Sequence, residues 1–176
     1  TIRFDFTASS GRDPNYDAAT DTYTIFVPTP LPSLEQLDLG DECGTIIQGN
    51  SDNVSTRVIQ IKPSLDLSST VRDGLRVMSR NNEISGITIN SFPGAGIHIE
   101  GPNNTITSNT IINNDLGVQV VGTQSTGNRI QDNAIYLNRG LGIDLVESDS
   151  LRPGRITPND LWLGPASDVD TGPNGL

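Results

Sequence analysis

The stretch "GAGIHIEGPNNTITSNTIINNDLGVQVVGTQSTGNRIQDNAIYLNRGLGIDLV", residues 94–146, repeats one phrase. A glycine precedes two aliphatic residues spaced two apart; Asn-x-Ile follows, then a further Ile, and then glycine again. Aligned by this phrase, and with the preceding residues added, the chain falls into columns. Leu75, Ile97, Val118 and Ile143 form one, at spacings of 22, 21 and 25 residues, with Val77, Ile99, Val120 and Leu145 two places on. Gly74, Gly96, Gly117 and Gly142 stand immediately before the first column. Ile84, Ile106 and Ile130 form another, each preceded at two residues by Asn82, Asn104 and Asn128, and Ile89, Ile111 and Ile135 form the last.

Within a phrase, apolar and polar residues alternate, as in Ile97-His98-Ile99 and Val118-Gln119-Val120. That is the period of a strand, whose side chains point to opposite faces in turn, and not of a helix. Turn formers separate the runs: Gly101-Pro102-Asn103-Asn104, Asn113-Asn114-Asp115 and Ser125-Thr126-Gly127-Asn128. Each repeat therefore holds three short strands. One such coil cannot cover its own apolar side chains, but coils stacked about 4.8 Å apart can, because each inward residue then lies on its counterpart above and below. The fold class expected is all-β, a right-handed parallel β-helix (solenoid) with about 21–25 residues per coil and three short strands in each.

The asparagine column fits that stack. Asn tolerates the left-handed conformation of a sharp corner, and its amide can both donate to and accept from an Asn one coil away. Asn82, Asn104 and Asn128 are read as a structural ladder, with Asn109 and Asn133 as a second, shorter one.

Composition agrees with a narrow core drawn out along an axis. Only 34% of the 176 residues are hydrophobic and 5% aromatic, thin for a compact globule but workable in a solenoid. A net charge of −10 repels phosphate backbones, so no nucleic-acid partner is expected. An acidic polysaccharide meets the same objection unless a cation or a local basic stripe bridges it. No apolar run approaches the roughly 20 residues that span a bilayer, so no membrane insertion is expected, and Thr1 opens no signal peptide. Cys43 is the single cysteine, which precludes an internal disulfide and reads as a buried free thiol.

Register weakens outside the repeats. "TIRFDF" (1–6) and "TYTIFV" (22–27) alternate like strands around a polar loop; a Pro-rich corner leads into a strand at 44–48, and "RVIQI" (57–61) is another. One domain is expected over 1–176, with irregular N-terminal coils and a cap over 1–73, regular coils over 74–146 and a loop-rich C-terminal cap over 147–176. Trp162 would cover the end of the core in that cap.

"LRVMSRNNEISGITINSFPGAGIHI" (75–99) resembles the pectin-lyase-like right-handed parallel β-helix repeat proteins of bacteria. "TPLPSLEQLDLGDECGTIIQG" before the coils, "GLGIDL" at the last one and "ITPND" with "DVDTGPNGL" after it are similar to segments of large bacterial surface or secreted proteins. The resemblance covers nearly the whole chain. It implies an extracellular or cell-surface location, a parent chain continuing past "TGPNGL", and mostly no assigned activity. "LWLGPAS" departs from the pattern as an insertion between Asp160 and Asp168.

Polysaccharide lyases and hydrolases of such a fold work on the outer face of one sheet. The outward positions of each coil's first strand are Arg76, His98, Gln119 and Asp144, followed two residues later by Met78, Glu100, Val121 and Val146. His98 and Glu100 lie on one face about 7 Å apart, with Arg76 one coil below, so the three could supply a base, an acid and a carboxylate clamp. The ordinary alternative is a solvated stripe of cross-strand charge pairs. Carboxylates paired for glycoside hydrolysis are absent from these columns, as are the double-Asp, His-Gly and Arg-x-Lys phrases of polygalacturonases and the acidic calcium cluster of pectate lyases. "DVDTGPNG" (168–175) could present Asp168 and Asp170 to Ca2+, although it lacks a terminal bidentate Glu, and an Asx-rich turn explains it as well.

The sequence thus points to a non-catalytic structural or carbohydrate-contacting module without a resident cofactor. The alternative is a polysaccharide lyase or glycoside hydrolase using Arg76, His98 and Glu100. A polysaccharide is the partner either reading implies, and the oligomeric state is left open.

Overall fold

The computed structural model describes residues 2–3, 15–35, 44–49, 58–64 and 72–146. Among them all regular structure is strand: β1 (Ile2–Arg3), β2 (Tyr16–Asp17), β3 (Thr22–Val27), β4 (Ile46–Gln48), β5 (Val58–Pro63), β6 (Leu75–Val77), β7 (Glu83–Ser85), β8 (Ile87–Asn90), β9 (Ala95–Ile99), β10 (Thr105–Thr107), β11 (Thr110–Ile112), β12 (Leu116–Val121), β13 (Arg129–Gln131), β14 (Ala134–Tyr136) and β15 (Ile143–Val146). They build three sheets, in the orders β1-β4-β7-β10-β13, β2-β3-β5-β8-β11-β14 and β6-β9-β12-β15. From β4 onward the chain visits the first, second and third sheet in strict rotation, and each visit lays a parallel strand beside the one from the previous turn. This is a parallel β-solenoid.

The register is the one that the sequence columns demand. Ile106 pairs with Ile84 and Ile130, Ile111 with Ile89 and Ile135, and Val118 with Ile97 and Ile143. Ile84, Ile89, Ile97, Ile99, Ile106, Ile111, Val118 and Val120 are all completely buried. Each such side chain contributes about 1.5–3 kcal/mol on leaving water, and none does so without the turns on either side of it. The glycine column has a steric cause. A Cβ on Gly74 would come within 2.5 Å of the Gly96 carbonyl oxygen, and one on Gly96 within 3.0 Å of that of Gly117. Backbones of successive turns approach too closely there for any side chain.

The early strands obey the same plan. "TYTIFV" is β3 and pairs in parallel with β5, while β4 pairs with both β1 and β7. Leu34, beyond the Pro-rich corner, makes a parallel bridge to Val77 and so touches the third sheet. The polar loop expected after residue 6 is not wholly irregular: Tyr16–Asp17 runs antiparallel to β3, with the Tyr16 and Tyr23 rings 4.5 Å apart. One antiparallel strand thus closes the N-terminal edge of the second sheet.

The corners correct one expectation. The ladder asparagines are not the left-handed residues; their predecessors are. Positive φ occurs at Asn81, Asn103 and Gly127, at Gly86, Ser108 and Asp132, and at Ser91, Asn113 and Leu137, one column per corner. Immediately after each left-handed residue of the later turns, an Asn side-chain oxygen accepts from the turn before. Asn82 donates its backbone N–H (2.9 Å) and Nδ2 (2.7 Å) to Asn104 Oδ1, and Asn104 does the same to Asn128 (2.9 and 3.1 Å). Asn109 donates to Asn133 at 3.0 Å, and a third ladder, not anticipated, joins Asn114 to Asn138 at 3.2 Å. The proposed cap over 147–176, Cys43 and Trp162 lie outside the described residues.

Candidate functional site

Parallel pairing in the third sheet sets Arg76 beside His98, His98 beside Gln119 and Gln119 beside Asp144. Since Leu75, Val77, Ile97, Ile99, Val118 and Val120 fill the interior, alternation turns these four outward in a single row. Arg76, His98 and Glu100, singled out from the sequence, do come together. Glu100 Oε1 receives Arg76 Nη2 at 2.6 Å and lies 2.9 Å from His98 Nε2. Farther along the row, Gln119 Nε2 donates to Asp144 Oδ2 at 3.2 Å.

A sixth group, Asp73, was missed. Asp73 Oδ2 stands 3.9 Å from His98 Nδ1, beyond hydrogen-bond range, while its Oδ1 accepts the Ala95 N–H at 2.9 Å. The imidazole is therefore flanked by a carboxylate on each side. Asp73 was findable, because it sits 22 residues before Ala95 and one before Gly74. It stands on the near side of the glycine column, outside the strand alternation.

The solvated stripe expected of this face is not what forms. His98 is 3% exposed, Gln119 4% and Asp144 1%, and Val121 and Val146 beside them are buried too. Alternation reports only that these side chains leave the inner core. It carries no information about what lies over the sheet. Arg76 and Glu100 keep partial contact with water, and Arg76 Nε is buried without a hydrogen-bond partner among the described residues.

The chemistry open to the cluster is limited by this geometry. A general base must present a free nitrogen to the proton that it removes. His98 Nε2 is engaged by Glu100, and the ring is closed to solvent. Glu100 itself is held by two cationic or donor groups on one oxygen, an arrangement suited to fixing side chains in place. Asp168 and Asp170, the candidate Ca2+ ligands, lie outside the described residues. Among those described, no group of three or more His, Cys, Asp or Glu side chains could hold a metal ion. No helix is long and apolar enough to cross a membrane.

A family model described as "right handed beta helix region" matches residues 40–159. The chain matches no curated protein and no solved structure.

Proposed function

We propose, from the premise that this chain belongs to the right-handed β-helix family, that it is a rigid, non-catalytic module that carries and presents a surface, in a bacterial cell-surface or secreted protein where a polysaccharide is the natural contact. The observation that carries this reading is the burial of His98, Gln119 and Asp144. A lyase or hydrolase acting on a polymer needs its acid–base groups at the floor of a cleft that the polymer can enter. Three side chains closed to solvent, with the imidazole Nε2 already engaged by Glu100, suit cohesion of the sheet instead. The net charge of −10 adds that a phosphate backbone is a poor partner.

One observation favours an enzyme: Arg76 and His98 converge on the same oxygen of Glu100. A polysaccharide lyase or glycoside hydrolase built on those three residues makes a distinct prediction. Purified protein incubated with pectic, alginate and chondroitin polymers should release no unsaturated products and no reducing ends, and glycan-array binding should be the same for the native chain and His98→Ala. Turnover that disappears in His98→Ala would overturn the scaffold reading and establish the enzyme.

A further inference from the structure

The three sheets turn different outer faces to their surroundings. The third sheet is closed over His98, Gln119 and Asp144, and the first carries the exposed charges of Glu83 and Arg129. The second is open and almost uncharged. Across β3, β5, β8, β11 and β14 its outward positions hold one cation, Lys62, and no carboxylate, and every one of them is at least partly open to water. In a chain of net charge −10, such a face is where an approaching polymer meets the least repulsion.

Register orders that face into rows. Phe26 lies beside Lys62, Asn90 beside Ile112 and Ile112 beside Tyr136, while the Ile61–Ile89 pair sets Lys62 beside Asn90 one position on. Four steps of about 4.8 Å put the two ends of this row roughly 19 Å apart. Those ends are Phe26, 47% exposed, and Tyr136, 49% exposed, the two exposed aromatic side chains among the described residues. Between them the polar groups are already held: Asn113 Nδ2 donates to Asn90 Oδ1 at 3.1 Å, Asn90 Nδ2 to Gln60 Oε1 at 2.8 Å, and Gln60 Nε2 to Thr24 Oγ1 at 3.1 Å. Cohesion between turns accounts for these hydrogen bonds. It does not account for the rings, which are too far apart to touch and leave about half their surface in water.

We infer that this outer face of the second sheet is the polysaccharide-binding surface of the module, and that its ligand is an uncharged, extended polysaccharide lying along the solenoid axis. The inference rests on the reading of the chain as a polysaccharide-contacting module and gives that contact a place and a chemistry. A pyranose ring presents an apolar C–H face that stacks on Phe26 or Tyr136, and hydroxyl groups that exchange hydrogen bonds with amides and threonines. An extended chain of 1,4-linked pyranoses advances by about one ring per turn of the solenoid, so about five sugars reach from one aromatic ring to the other. Gln60 and Asn90 are fixed before the ligand arrives, so less side-chain freedom is lost on binding. A neutral chain also settles here without stripping water from paired charges, whereas a polyuronate would meet one lysine and the field of an acidic protein.

The full chain tests this by affinity electrophoresis through gels containing a 1,4-linked glucan, mannan or xylan, with pectate and alginate gels alongside. At least one neutral polymer should retard it more than either polyuronate. Phe26→Ala and Tyr136→Ala should each weaken that retardation by on the order of tenfold, whereas Ile46→Ala, an equally exposed apolar position on the first sheet, should not; unchanged circular dichroism keeps the comparison valid. The pentasaccharide of the retarding polymer should compete, and its disaccharide should not at the same concentration. No retardation by any neutral polymer, stronger retardation by pectate or alginate, or equal competition by the disaccharide would overturn the inference. Retardation unchanged in both aromatic variants would overturn it while leaving the module reading intact, and self-association lost in Tyr136→Ala would give the face to a second copy. Degradation of the polymer, lost in His98→Ala, would instead strike the non-catalytic reading.

Discussion

Asn82 and Asn104 meet through a single oxygen: Asn104 Oδ1 accepts both the side-chain amide of Asn82, at 2.7 Å, and its backbone N–H, at 2.9 Å. Asn104 is fully buried, and its own Nδ2 reaches Gly101 O at 2.9 Å. Removing that side chain strands two buried donors on Asn82, each costing about 1–3 kcal/mol when unsatisfied. Asn104→Ala should therefore lose about 3 kcal/mol in urea denaturation. Asn138→Ala, at the partly exposed end of its ladder, should lose about 1 kcal/mol.

Glycine is required in part of its column and tolerated elsewhere. A Cβ on Gly117 would overlap the Gly142 carbonyl oxygen and lie 2.6 Å from Ile135 Cγ2, whereas one on Gly142 meets, among the described residues, only Ile135 Cγ2, at 3.5 Å. Gly117→Ala should cost about 3 kcal/mol or prevent folding, because the obstacle is backbone. Gly142→Ala should change stability by less than about 1 kcal/mol. Thermal unfolding of the two variants side by side separates them.

Leu137 has φ 55 and is 71% exposed, in the column shared with Ser91 and Asn113. A left-handed leucine is strained by about 1–2 kcal/mol, and here little burial offsets it. Leu137→Asn should raise stability by about 1 kcal/mol, read as an increased denaturation midpoint at unchanged slope. A drop would mean that the leucine is covered in solution.

Near the N-terminal edge, the Asp17 carboxyl is held below the ordinary aspartate value, first by the Thr20 hydroxyl and then by the Ala19 N–H, at 2.8 and 2.9 Å. A folded-state value lower than the unfolded one stabilises the fold above the unfolded value and loses that contribution as pH falls through the folded one. Titrating Asp17 by NMR in the native chain and in Thr20→Val should show the carboxyl returning toward the ordinary value in the variant.

The solenoid was legible because its period is written several times over. Ile84, Ile106 and Ile130 keep the same neighbours in sequence, and stacking requires similar turns to lie on similar turns. Which corner residue turns left-handed was not legible: Asn81 and Asn82, like Asn103 and Asn104, are identical in type, and only the backbone distinguishes the one that bends from the one that bonds. The Asn114–Asn138 ladder escaped for the same reason, within the run Asn113-Asn114-Asp115. Arg76, His98 and Glu100 were placed together correctly because strand alternation and period suffice for proximity. The burial of His98 was beyond reach, since a repeat pattern describes each turn and its neighbours along the axis and is silent about what lies beside them.

The one-way sense of the ladders has a consequence for how such a molecule changes length. In each ladder the Asn Oδ1 accepts from the turn before it, so each junction has the same plug and the same socket. Excising or duplicating one whole period between equivalent corners, such as the 22 residues 82–103, would rejoin a plug to a socket. Removing half a period would set two unlike corners against each other. A chain of this kind can be shortened or lengthened in whole steps, with the outer surface shifted along like beads on a ruler.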